Sequence, residues 1–350
     1  MSIITEINDI RLQRDFSGKS FSEFKKTDVI RELTKSLLDN KLEPSCFWSA
    51  ELICGGHYMD LWNTIILFVG KYIYIGNPKI ISYLELRITK FKEIVRNGYV
   101  GNELSMRNNL NVRKLFCEIV CVLCESSRKH ALELIKITPN DFDIAQLSER
   151  FKAPHTNYSK DIFKSGDPKQ LFIAVNELAY HMSKDSKDGV SACYWVEWIL
   201  ECSQNSKKQK QQYKCERRSM PVDSKDQMES VWIIWEMLTH FANKDGTLCK
   251  KTMESLLQVF CLRFTNGVIK RRRYLIYYGV CLITEGVNYK VNVIRNIEKI
   301  ESVINKIDNI YKQIKKNEHA PETDYLFHNV KEKSNLEKTI AKLDLMKQLT

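Results

Sequence analysis

The sequence predicts an all-α fold: a multi-helix, bundle-like body closed by a C-terminal helical hairpin or coiled coil. Three observations predict it. The 350 residues hold only 7 Pro and 13 Gly, too few for a turn-rich β architecture. Apolar residues recur at three- and four-residue steps, and no segment alternates cleanly with period two. Capping and stop residues bracket these stripes at helix-length intervals. With 43 % hydrophobic and 28 % charged residues, the composition is that of a globular chain and excludes collagen, low-complexity tails and disordered polymers. A chain this long buries roughly three quarters of its unfolded surface, so it needs no disulfide or metal to fold.

Residues 1–26 are polar and read as a flexible N-terminal arm. Within it Ser17-Gly18-Lys19-Ser20 echoes the end of a phosphate-binding loop, but the position five before Gly18 is Gln13, not glycine, and no strand precedes it. Residues 27–151 read as an N-terminal helical block. In it Asn77-Pro78 is a cap followed by a first-turn proline, and Gly98 is the stop about twenty residues later. Thr138-Pro139-Asn140-Asp141 and Asp167-Pro168 start helices in the same way, the second carrying the stripe Leu171, Val175, Leu178 and Met182. Ser224 to Gln227 reads as a capping box ahead of Val231, Ile234, Trp235, Leu238 and Phe241.

Residues 168–286 form the expected central aromatic and basic block, and residues 287–350 a long helix plus a short one. In the long helix Val293, Ile297, Ile300, Ile304, Ile307, Tyr311 and Ile314 step by four and three, a heptad seam. The short stripe is Leu336, Ile340, Leu343 and Met346. The pair is read as a hairpin packed on the chain's own body. The seam at 293–314 can also serve as an oligomer contact. Candidate linkers are 152–167, 203–222 and 317–329.

Net charge is +11, and it is concentrated. Lys207, Lys208, Lys210, Lys214, Arg217 and Arg218 against Glu216 give +5, and Arg263, Lys270, Arg271, Arg272 and Arg273 give another +5. Clustered positive charge attracts phosphate backbones, so these eleven residues are the expected nucleic-acid contacts. The alternative is a solvated face paired with acids such as Glu216 and Glu285. Trp195, Trp198, Trp232 and Trp235 lie near the basic runs and are candidates for base stacking, although aromatics at three-residue spacing read more simply as core.

The 11 cysteines, with no secretory signal or membrane-spanning stretch, point to free thiols in a reducing, intracellular setting. Cys117, Cys121 and Cys124 have helix-core neighbours and read as small buried hydrophobes. Cys54-Gly55-Gly56-His57, with Cys46 nearby, has the turn of a zinc knuckle, yet two glycines and a capping histidine explain the same letters. No cofactor or metal is therefore expected. No nucleophile elbow, two-histidine zinc helix, dinucleotide loop or kinase signature is present, which leans away from an enzyme.

Several strings occur together: Trp48–Cys54 (WSAELIC), Gly76–Lys79 (GNPK), Gly101–Leu104 (GNEL), Phe151–His155 (FKAPH), Ala192–Trp198 (ACYWVEW), Cys215–Arg218 (CERR) with Pro221–Ser224 (PVDS), and Tyr311–Lys316 (YKQIKK). On these the chain, from about Cys46 onward, resembles a family of uncharacterised proteins encoded by large nucleocytoplasmic DNA viruses of algae and protists. The resemblance implies a setting and no site residues. The expected function is a non-catalytic accessory or scaffold of viral DNA replication, transcription or packaging, in contact with nucleic-acid backbone. The alternatives are a minor structural protein of the virion, capsid- or core-associated and partnered with viral proteins, or an enzyme of unknown chemistry.

Overall fold

Helical spacing of the apolar residues becomes helix throughout: the computed structural model describes residues 5–209 and 213–319, and among them are fourteen α-helices and no strand. The first five are α1 (Lys26–Leu38), α2 (Leu42–Cys54), α3 (Tyr58–Phe68), α4 (Ile80–Arg96) and α5 (Leu110–Glu125). Asn109 starts α5 by accepting from the backbone N–H groups of Asn111 and Val112, which satisfies two donors that a helix start otherwise leaves free. From there α5 is buried along most of its length and lies against α1, α2 and α4.

The expected cap Asn77 does a different job. Helix α4 begins at Ile80 without a side-chain cap, while Asn77 is fully buried and donates to the Asn292 carbonyl at 3.3 Å. Beside it Gly76 is required by close approach: a Cβ there would sit 2.5 Å from the Arg128 carbonyl carbon. The segment after α5 crosses at this point, with Lys129 N–H donating to the Ile73 carbonyl at 3.2 Å and Ala131 N–H to the Lys71 carbonyl at 2.8 Å.

The middle of the chain gives α6 (Ile144–Ser148), α7 (Phe172–Met182), α8 (Gly189–Lys208), α9 (Val231–Asp245), α10 (Thr247–Phe260), α11 (Asn266–Arg271) and α12 (Arg273–Thr284). Thr138 and Asp141 do form a capping box, but over a single 3-10 turn, Pro139–Phe142. Ser224 likewise opens only a 3-10 turn, and α9 starts seven residues later, at Val231. The expected linker 152–167 is held down on α7. Glu177 accepts from the Lys152 and Ala153 N–H groups, and Asn176 accepts from Tyr158 N–H and donates to the His155 carbonyl.

The expected block boundaries do not separate cores. Each of the helices from α1 to α12 except α6 and α11 contributes buried side chains to one contiguous cluster. Polar contacts join the same halves: Ser82 of α4 meets Ser255 of α10 at 2.9 Å, and the Tyr74 hydroxyl donates to the Tyr277 carbonyl of α12 at 3.0 Å.

Two terminal expectations are corrected. The arm is not loose: Ile7, Phe16 and Phe21 are buried. Its backbone is satisfied by fixed side chains, with Asn108 exchanging two bonds with Ile7, Arg113 donating to the Thr5 carbonyl and Arg107 to that of Asp9. Nor is there one long C-terminal helix. The seam breaks at Lys306 into α13 (Ile297–Asn305) and α14 (Ile307–Lys315), a bent pair. Ile300, Ile307, Tyr311 and Ile314 are buried where α13 meets α5 and α14 meets α2 and α5. The Arg113 guanidinium lies 3.9 Å from the centre of the Tyr311 ring, so these four seam residues pack within the chain. Ile297, at its start, is left exposed. The stripe at 336–346 lies outside the described residues. No helix among the described residues is long and apolar enough to cross a membrane.

Candidate nucleic-acid interface

Helices α8 and α12 run antiparallel. Gly189, at the start of α8, lies against Thr284, at the end of α12, and Glu197 pairs with Arg273, where α12 begins. Lys208 therefore lies about 16 Å beyond Glu197, past the start of α12. The loop after α8 is tied to the start of α9, because Cys215 N–H donates to the Met228 carbonyl at 3.0 Å and Arg218 N–H to that of Gln227 at 3.1 Å. One turn on, the Trp232 ring packs 4.9 Å from Phe264, next to Arg263. Both basic runs thus fall at the same end of the α8/α12 pair.

Within each run, burial sorts the residues. The Arg218 side chain is 1 % exposed and Asp167 is fully covered. The guanidinium donates to both Asp167 oxygens at 2.8 and 2.7 Å, to Glu236 at 2.6 Å and to the Ile162 carbonyl at 3.1 Å. Burial alone would raise the Asp167 carboxyl, but Arg218 and the backbone N–H groups of Lys164 and Glu216 hold it below the usual range. This is a bidentate structural pair, and Arg218 cannot reach a phosphate. Asp167, expected as a helix cap, serves here instead.

Arg272 is also buried. It donates to the carbonyls of Phe260 at 2.8 Å and Leu262 at 2.7 Å, and to Asn63 at 3.0 Å, so it closes the C-terminal end of α10, where unpaired carbonyls favour a cation. Burial and the neighbouring Arg271 bring it down to about 10, which leaves it charged at neutral pH. Arg273 is bound to Glu197. Three of the eleven expected contacts are therefore internal fastenings.

Three more are surface ion pairs: Lys207 with Glu229, Lys208 with Glu201 at 3.6 Å and Arg263 with Glu103 at 3.2 Å. Such exposed pairs contribute at most about 1 kcal/mol and exchange readily with other anions. Lys214, Arg217, Lys270 and Arg271 are exposed, with no carboxylate within ion-pair distance among the described residues. Lys210 lies outside the described residues. The four tryptophans are core: Trp195, Trp198, Trp232 and Trp235 are all buried, which removes them as stacking platforms.

Glu197 is the acid most displaced by this arrangement. Burial pushes its carboxyl up to about 7, against the pull of Arg273 and a hydrogen bond from Tyr277. The folded protein therefore keeps a proton that the unfolded chain releases from about pH 4.5 upward. Its contribution to stability is present below that value and declines as pH rises toward 7. Glu197→Gln should flatten this decline. The stability difference between variant and wild type, followed by urea unfolding at pH 4.5 and 7.5, should move in the variant's favour by on the order of 3 kcal/mol.

The knuckle reading of Cys46, Cys54 and His57 does not survive. His57 Nε2 is bonded to the Lys19 carbonyl at 2.6 Å, and Cys54 is wholly buried. Cys46 points instead at Cys117 and Cys121, 3.7 Å from each sulfur. Spacing along the chain hid that meeting, since the partners lie 71 and 75 residues apart. In the loop echo at Ser17–Ser20 the first three residues are exposed, and the Ser20 hydroxyl is buried, donating to buried Glu51 at 2.8 Å. No protein-family model matches the chain, and neither a curated protein nor a solved structure is significantly similar to it.

Proposed function

We propose that the chain is a non-catalytic helical scaffold that binds nucleic-acid backbone at the end of the α8/α12 pair. The observation that carries this reading is the group Lys214, Arg217, Lys270 and Arg271, exposed and without acidic partners among the described residues, at the same end of the α8/α12 pair. Buried arginines of the same two runs fix the loop and the α10–α12 corner that present them. A rigid mount matters because ordering flexible side chains and loops on binding costs affinity. Lys207, Lys208 and Arg263 border the group in sequence and can exchange their surface carboxylates for phosphate. Contacts of this kind neutralise charge and carry no base information. We propose viral DNA replication, transcription or packaging as the setting of such a scaffold, from the resemblance in sequence alone.

Fluorescence anisotropy with labelled duplex and single strands at low salt tests the reading. Wild-type protein should bind both, with little dependence on sequence. Protein that ignores both strands at low salt would overturn it. If that protein is instead retained by acidic proteins of purified particles, the minor structural role in the virion takes its place.

A further inference from the structure

The facing sides of α2 and α5 carry a feature unconnected with the basic end. Cys117 and Cys121 are one turn apart on α5 and so share a face. Cys46 of α2 meets both, with sulfur separations of 3.7 Å. All three sulfurs lie within 4.8 Å of one another, and among the described residues no other group of three or more cysteine, histidine or acidic ligands does so. Two sulfurs bound to one ion at about 2.3 Å with a tetrahedral angle are about 3.8 Å apart. The trio is therefore spaced to share an ion with little movement of either helix. Facing side chains in a helical core are a common way to build such a site.

We propose that Cys46, Cys117 and Cys121 bind one thiophilic closed-shell cation, Zn2+ or Cu+, which fastens α2 to α5. Soft thiolates select these ions over Mg2+ and Ca2+. The thiolate is the binding form, so the ion displaces the thiol protons into solvent as it binds. With Zn2+, three thiolates leave one negative charge and a fourth leaves two. Arg128 and Lys299 lie toward the C-terminal end of α5 and oppose it.

At the same end a surface pocket of about 470 Å³ is lined by residues that include Asn40, Cys124, Glu125, Ser126, Arg128 and Arg295. Cys124 lies one turn from Cys121, and its thiol donates to the Ser45 hydroxyl at 3.5 Å. The two ions differ in their need for Cys124. Zn2+ completes a tetrahedron with a fourth donor, which Cys124 supplies by leaving Ser45, whereas Cu+ is satisfied by three thiolates.

The test uses the full chain, made metal-free and kept reduced without oxygen. It is titrated with Zn2+, with Co2+ as the optical probe for the zinc geometry, and separately with Cu+. The expected result is one ion per chain, sulfur-to-metal charge-transfer absorption and release of the ligating thiols' protons. Binding should vanish in Cys46→Ser and Cys117→Ser and persist in Cys261→Ser. Zinc binding lost in Cys124→Ser marks the four-thiolate form, and copper binding kept in that variant marks the three-thiolate form. Should the serine variants fail to fold, the wild type still reports: a bound ion protects Cys46, Cys117 and Cys121, and not Cys261, from slow alkylation read by peptide mass. Absence of stoichiometric binding, binding that survives Cys117→Ser, or alkylation unchanged by the ion would each overturn the proposal.

Discussion

Replacing Arg218 with Ala is expected to cost about 3–5 kcal/mol, because it leaves a buried carboxylate without its counter-charge. Asp167 has no exposed surface, and the guanidinium supplies two of its hydrogen bonds. Glu236 and the Ile162 carbonyl lose the same partner. The neighbouring Arg217→Ala should change stability by no more than about 0.5 kcal/mol, as expected for a surface residue without such a feature. Urea unfolding at pH 7 separates the two variants. Equal and small effects would show that burial does not divide this run as described. The Arg218 contribution also has a pH signature. The Asp167 carboxyl is held below its ordinary 3.8, so this stabilisation is complete above that value and is lost as pH falls through the lower folded value.

Trp235→Ala should be comparably costly, about 3–5 kcal/mol, through loss of transferred surface and the cavity left behind. The ring is fully buried on α9 and packs 5.0 Å from Phe260 of α10. An accessible stacking platform would behave otherwise: its removal would weaken binding to single strands and spare the fold. The denaturation midpoint of the variant distinguishes the two roles. Addition of single-stranded DNA to the wild type should leave the fluorescence of the buried tryptophans unchanged.

Period and caps were readable from the sequence where local chemistry decides. Cys117, Cys121 and Cys124 read as small buried helix-core residues from their apolar neighbours, and all three are buried on α5. The apolar stripes of α7 and α9 were equally legible. Element starts were less so: Thr138 does cap, but its turn is not continued, and Ser224 opens a turn that no side chain caps. The heptad seam was visible as a pattern, yet a seven-residue repeat does not say whose surface it meets. Tyr311 found Arg113 of the same chain.

The basic runs show the limit most clearly. Arg217 and Arg218 are adjacent and chemically identical. Only Asp167, 51 residues away, makes one internal and leaves the other in water. Arg271 and Arg272 divide in the same way at the end of α10. The cysteine trio is a meeting of two helices, so the i,i+4 pair on α5 was legible and its third member on α2 was not.

The central claim is that exposed bases of the two runs, and not the buried ones, contact phosphate. The slope of log affinity against log salt on duplex DNA tests it most directly, compared between wild type and the combined variant Lys214→Ala, Arg217→Ala, Lys270→Ala, Arg271→Ala. Each phosphate neutralised contributes about 0.9 to that slope, so removing four contacts should make it shallower by about 3.6, with the thermal midpoint unchanged. An unaltered slope in a variant that folds normally would contradict the account.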